Sequence, residues 1–131
     1  MDEKQQQYFI PVYYKNEAIA VVIFSEIDFG YVDKKVVMYY EPSLKTCFEA
    51  VGTFLSGKYV SIGTMTENLT QVISRHLDSK NLIITKPLLI GSKMKNKTVR
   101  DKQLLGEKHK HFERRSFNVR HDDIRHLRKR P

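Results

Sequence analysis

Along the first two thirds of this chain, apolar residues recur with two different periods. The stretch YFIPVYY, which opens at Tyr8 and closes at Tyr14, and AIAVVIFSE at residues 18–26 are dense in β-branched and aromatic side chains. Only Lys15, Asn16 and Glu17 separate them, so the pair reads as a β-hairpin. Pro11 has no N–H to give to a ladder, which predicts that its strand lies at a sheet edge or carries a bulge there. Residues 18–24 are apolar at every position, the pattern of a central strand or one covered on both faces. After the turn-forming DFGYVDKK, residues 35–40 predict a third strand.

The period then becomes helical. Leu44, Cys47, Phe48, Val51, Phe54 and Leu55 form one stripe behind Pro42 and Ser43, and Gly57 stands where a left-handed C-terminal cap is expected. YVSIGTM at residues 59–65 is expected as a short strand, followed by a capping box in which Thr64 and Glu67 open a second helix. Leu69, Val72, Ile73 and Leu77 mark the buried face of that helix, with His76 beside them at an interface or in solvent. NLIITKPLLIG at residues 81–91 predicts a last strand, broken or bent at Pro87. The fold class is therefore α+β: a mostly antiparallel or mixed sheet of about five strands, with two amphipathic helices on one face.

With 131 residues, 40% of them hydrophobic and 29% charged, the chain is expected to form one body with an appendage. Its longest apolar run is too short to span a bilayer. The opening MDEKQQQYF lacks the charge and apolar character of a secretory signal, so a cytoplasmic location is expected. Cys47 is the single cysteine, and its place on the helix stripe favours packing over reactivity.

Charge changes the picture further, because the overall +8 is unevenly spread. Residues 1–92 hold nine Lys and Arg against ten Asp and Glu, whereas residues 93–131 hold fourteen against five. The chain thus divides into a near-neutral α+β body, residues 1–92, and a basic, partly helical C-terminal extension, residues 93–131, suited to anions. Within the extension, TVRDKQLLGEKHKHFERR at residues 98–115 has helical character weakened by Gly106. SFNVR offers Phe117 and Val119 to extend a sheet. HDDIRHLRKR, with acids early and bases late, suits a short terminal helix.

Two short motifs resemble chemistry that their surroundings do not support. DFG at residues 28–30 matches the metal-binding triplet of kinases, without a glycine-rich loop or catalytic-loop motif. GTFLSGK at residues 52–58 has the spacing of a phosphate loop, but Tyr59 replaces the required Ser or Thr. That segment would also leave a helix to enter a strand, the reverse of a phosphate loop. No cofactor or metal is expected, and no catalytic residue is assigned. A His-dependent nuclease ranks third among the readings: His109, His111, His121, Asp122 and His126 are suitable residue types, yet their spacing fits no zinc pattern and the surrounding cations oppose a divalent metal.

The extension suits phosphate contact better, since basic side chains attract a nucleic-acid backbone without strict geometry. The expected function is non-enzymatic nucleic-acid binding, with RNA slightly ahead of DNA. Lys108, Lys110, Arg114, Arg115, Arg120, Arg125, Arg128, Lys129 and Arg130 are the expected phosphate contacts. Phe112 and Phe117 either stack on unpaired bases or fasten the extension to the body. The alternative is an interaction or assembly module whose basic extension meets an acidic protein, with homo-oligomerisation through an edge strand at Tyr8 to Tyr14.

Overall fold

The computed structural model describes residues 6–27, 29–90 and 111–120. β1 (Gln7–Tyr14) and β2 (Glu17–Glu26) form the expected hairpin. Its turn is tighter than the sequence implies, because Lys15 and Asn16 alone make it, both with left-handed backbone (φ 54° and 67°). Such a turn matches the twist of the flanking strands, and it leaves Glu17 free to begin β2. β3 (Val32–Tyr40) pairs with β2 and starts before the expected Lys35.

Among the described residues the sheet has six strands in the order β4-β1-β2-β3-β6, with β5 also paired to β1, and each pairing is antiparallel. The fold is α+β, as expected, and the mixed-sheet option is excluded. β1 is not an edge strand. Its second side takes β4 (Leu82–Ile84) and β5 (Leu88–Leu89), two pieces separated around Pro87. Between these ladders Ile10 and Pro11 stand opposite residues 85–87, so the missing N–H of Pro11 falls where the neighbouring strand is interrupted. The edge expected at Tyr8 to Tyr14 for self-pairing is therefore occupied by the chain's own strands. Ile83, Leu88 and Leu89 are the exposed apolar side chains on that flank.

A 3-10 turn at Pro42–Leu44 leads into α1 (Lys45–Leu55), which buries Cys47, Phe48, Val51 and Leu55. α2 (Ile62–Ile73) begins inside the segment expected as a strand. Ser61 caps it by accepting the Thr64 N–H at 3.2 Å, so Thr64 lies within the first turn and the expected Thr64–Glu67 box does not form. Val60 and Ile62, whose β-branched side chains suggested a strand, flank this cap. Met65, Leu69, Val72 and Ile73 face the sheet, while His76 is exposed beyond the helix end. The Thr66 hydroxyl donates to the Thr85 carbonyl at 2.8 Å, fastening α2 to the connection between β4 and β5.

Both helices cover one face, over Ile10, Val12, Val22, Phe24, Val36 and Met38. Tyr8 stacks on Phe24 and Tyr40 on Phe48, with ring centroids 6.0 and 5.3 Å apart. On the other face Val21 and Ile23 pack with Ile90, Phe9 and Tyr39. The uninterrupted apolar run of β2 is thus covered on both sides, at the centre of the sheet. Among the described residues no helix is long and apolar enough to cross a membrane.

β6 (Glu113–Asn118) comes from the basic third and completes the sheet beside β3. Glu113, Arg114 and Arg115 are therefore strand residues, where the sequence suggested helix. His111 and Phe112 of that expected helix form no helix either, while its residues 98–110 and the expected terminal helix lie outside the described residues. Phe117 and Val119 close the core at this side. Ending the chain at residue 92 should cost about 3 to 6 kcal/mol in the loss of these two buried side chains alone, at about 1.5–3 kcal/mol each. A urea denaturation curve of the shortened chain checks this.

Cys47 is 3% exposed, and burial pushes its thiol up to about 11. Because the folded pKa is raised, the protonated thiol favours the fold below the ordinary thiol range, and that contribution is lost as pH rises through about 11. Iodoacetamide at about pH 8 should leave Cys47 unmodified in the native protein and alkylate it fully in urea, as read by mass spectrometry.

Candidate nucleic-acid interface

One end of the sheet gathers cations from three separate stretches of chain. α1 ends at Leu55, and Gly57 takes a left-handed backbone (φ 77°) that redirects the chain. The Gly57 N–H donates to the Asn118 carbonyl at 3.1 Å, the Arg120 N–H to the Lys58 carbonyl at 2.9 Å, and the Val32 N–H to the Val60 carbonyl at 2.9 Å. Tyr31 and Ser61 form an isolated bridge, and the Ile62 N–H donates to Gly30 at 2.7 Å. Residues 57–62 are thus laced first to the end of β6 and then to the start of β3.

This lacing sets Lys58 and Tyr59 beside Arg120, next to Lys34 and Lys35 at the start of β3. Val119 donates to the Lys34 carbonyl at 2.8 Å, and Lys35 stands opposite Asn118. Two of the cations lie over aromatic rings, which restricts where their charge sits: Lys58 Nζ is 4.2 Å from the Phe54 centroid and the Arg120 guanidinium 5.0 Å from that of Tyr59. The adjoining turn between β2 and β3 presents Phe29, 75% exposed and with positive φ. The Glu26 carboxylate holds this turn by accepting the Gly30 N–H at 3.0 Å and the Tyr8 hydroxyl at 3.2 Å. Burial, followed by this carboxylate, raises the pKa of Tyr8 and keeps its hydroxyl a donor.

Of the residues singled out in the sequence, the structure describes five. Arg120 belongs to the basic end, and Arg114 is exposed on the sheet face away from the helices, opposite Tyr39. Phe112 is half-buried just before β6. Phe117 is a core side chain, 9% exposed, so its ring has no free face to offer a base. Arg115 points to the helix side, with Nη1 3.5 Å from the Glu49 carboxylate of α1. Its Nε is buried without a hydrogen-bond partner and lies against Gly52, where a Cβ would meet it at 3.2 Å. Arg115 is thereby engaged in fastening β6 to α1. Beside it Tyr40 has its pKa raised, first by burial and then by the carboxylates of Glu113 and Glu49.

Lys108, Lys110, Arg125, Arg128, Lys129 and Arg130 lie outside the described residues, as do His109, His121, Asp122 and His126. Of the histidine set only His111 is described, and it is exposed. Among the described residues no three His, Cys, Asp or Glu side chains gather as metal ligands. Lys34, Lys35, Lys58 and Tyr59 were not identifiable as neighbours of Arg120 from sequence, since the pairing of β3 with β6 and the bonds from residues 57 and 58 to the end of β6 bring them there. Comparison with protein-family models, with curated proteins and with solved structures finds no match.

Replacing Phe117 by Ala separates a core role from a surface role. It should lower stability by about 3 kcal/mol through the cavity left beside Gly52, as measured by urea denaturation.

Proposed function

We propose that this protein binds nucleic acid, RNA ahead of duplex DNA, without catalysing a reaction on it. The observation that carries this reading is the basic end of the sheet. Lys34, Lys35, Lys58 and Arg120 come from a strand, a loop and the residue beyond β6, and the backbone bonds of residues 57–62 hold them at one place. Lys34, Lys35 and Lys58 belong to residues 1–92, which are near neutral taken together, so the gathering depends on the fold.

Phosphates would meet Lys58, Arg120 and Lys34, with Arg114 and Lys35 continuing the track on the open face. In this reading Phe29 replaces Phe117 as the ring that stacks on an unpaired base. An exposed ring adjoining cations suits single strands, whose bases can splay out, better than a closed duplex. The cations of the rest of the extension, Lys108, Lys110, Arg125, Arg128, Lys129 and Arg130, would add to affinity.

The test is a titration of labelled single-stranded RNA, and of duplex DNA of equal length, with the full chain at several salt concentrations. Replacing Lys58 and Arg120 together by Ala should weaken RNA binding about tenfold and reduce the salt slope by about 1.4, the value for two lost phosphate contacts on a single strand. Arg115→Met, which removes a cation already paired to Glu49, should leave the slope unchanged. Phe29→Ala should weaken the single strand and spare the duplex. Unaltered affinity in the double variant rejects this surface, and no binding at low salt rejects the function.

A further inference from the structure

We infer that the outer edge of β6 accepts an extended acidic peptide as an additional strand of the sheet. This goes beyond the nucleic-acid reading and does not depend on it. The bond from the Val119 N–H to the Lys34 carbonyl fixes which backbone groups of β6 face β3. With no register shift along the pair, Glu113, Arg115 and Phe117 turn their N–H and C=O toward β3, and Arg114, Ser116 and Asn118 turn theirs away. The loop after α1 occupies the end of this outward row, where Gly57 takes the Asn118 carbonyl and Arg120 donates to Lys58. Arg114 and Ser116 remain, each presenting an N–H and a C=O with no backbone partner among the described residues.

An unpaired edge is usually blunted by a proline, a bulge or a cover. β6 contains no proline, and its pairing with β3 is regular. The side chains along it select the guest. Arg114 stands exposed on the open face, whereas on the helix face Arg115 is paired with Glu49. A guest strand alternates its side chains between the same two faces, so every second side chain meets the Arg114 charge on the open face. Carboxylates are favoured there and ammonium groups repelled. Glu113 at one end and Gly57 at the other limit the pairing to a short segment centred on Arg114 and Ser116. Main-chain bonds supply the attachment and Arg114 the choice of sequence.

The experiment follows backbone amide exchange in the full chain while adding a peptide of alternating Glu and Val, and in parallel its Lys and Val counterpart and a single-stranded RNA. The Glu peptide should slow exchange at Arg114 and Ser116 at least about tenfold, the mark of new hydrogen bonds. The Lys peptide should leave both amides unchanged. Ser116→Pro deletes an outward N–H while sparing the ladder to β3, so it should abolish the effect, with slow exchange at Val36 and Met38 reporting an intact sheet. If those two amides exchange rapidly, Arg114→Glu replaces it and should reverse the preference between the two peptides. No protection by the Glu peptide, equal protection by the Lys peptide, or the same protection by RNA would overturn the proposal.

Discussion

A single amide, that of Val119 reaching the Lys34 carbonyl at 2.8 Å, sets the phase of all that follows on β6. In this phase Phe117 and Val119 enter the core beside Val36, Arg115 meets Glu49 on α1, and Arg114 stands on the opposite face. A slip of one residue would turn Phe117 to solvent and drive Arg114 and Ser116 under the helices. Burial of two apolar side chains thus holds the register, and the register in turn places every charge on the strand. The basic end and the open edge are both by-products of packing chosen for the core.

The same pairing explains why charge cannot be assigned to function by sequence segment. Arg115 and Arg120 come from one short basic stretch, yet one is spent on an ion pair with α1 and the other lies over Tyr59 beside Lys58. The pair with Glu49 is partly open to water and contributes little to stability in itself. It keeps β6 seated over Gly52, the position in α1 where a side chain would obstruct Arg115.

Much of the fold was legible because it is local. Alternation and turn chemistry marked β1 to β3, and the uninterrupted apolar run of β2 announced a strand covered on both faces. The stripe from Cys47 to Leu55 marked α1. What failed depended on distant partners. Val60 and Ile62 looked like strand residues, but Ser61 between them caps a helix while the backbone of residues 30–32 pins the approach to it. Pro11 did signal a defect in the ladder, which proved to be a break in the neighbouring strand instead of an edge. Phe117 had two readings that spacing could not separate, since a stacking ring and a core ring look alike until a register is known. For the interface, segregation of charge was plain in the sequence, whereas the contribution of Lys34, Lys35 and Lys58 was not.

β6 follows in chain order every element that it touches. During synthesis, the hairpins of β1 to β3 and the helices are complete while the slot between β3 and α1 is still unfilled, and its walls at Val36 and Met38 await a strand that leaves the ribosome later. Pairing β6 with β3 joins segments far apart in the sequence, an entropic cost met only when Phe117 and Val119 dock. Until β6 is made, Val36 and Met38 stay open to water on this side, so the last strand to be synthesised is also the one that seals the core.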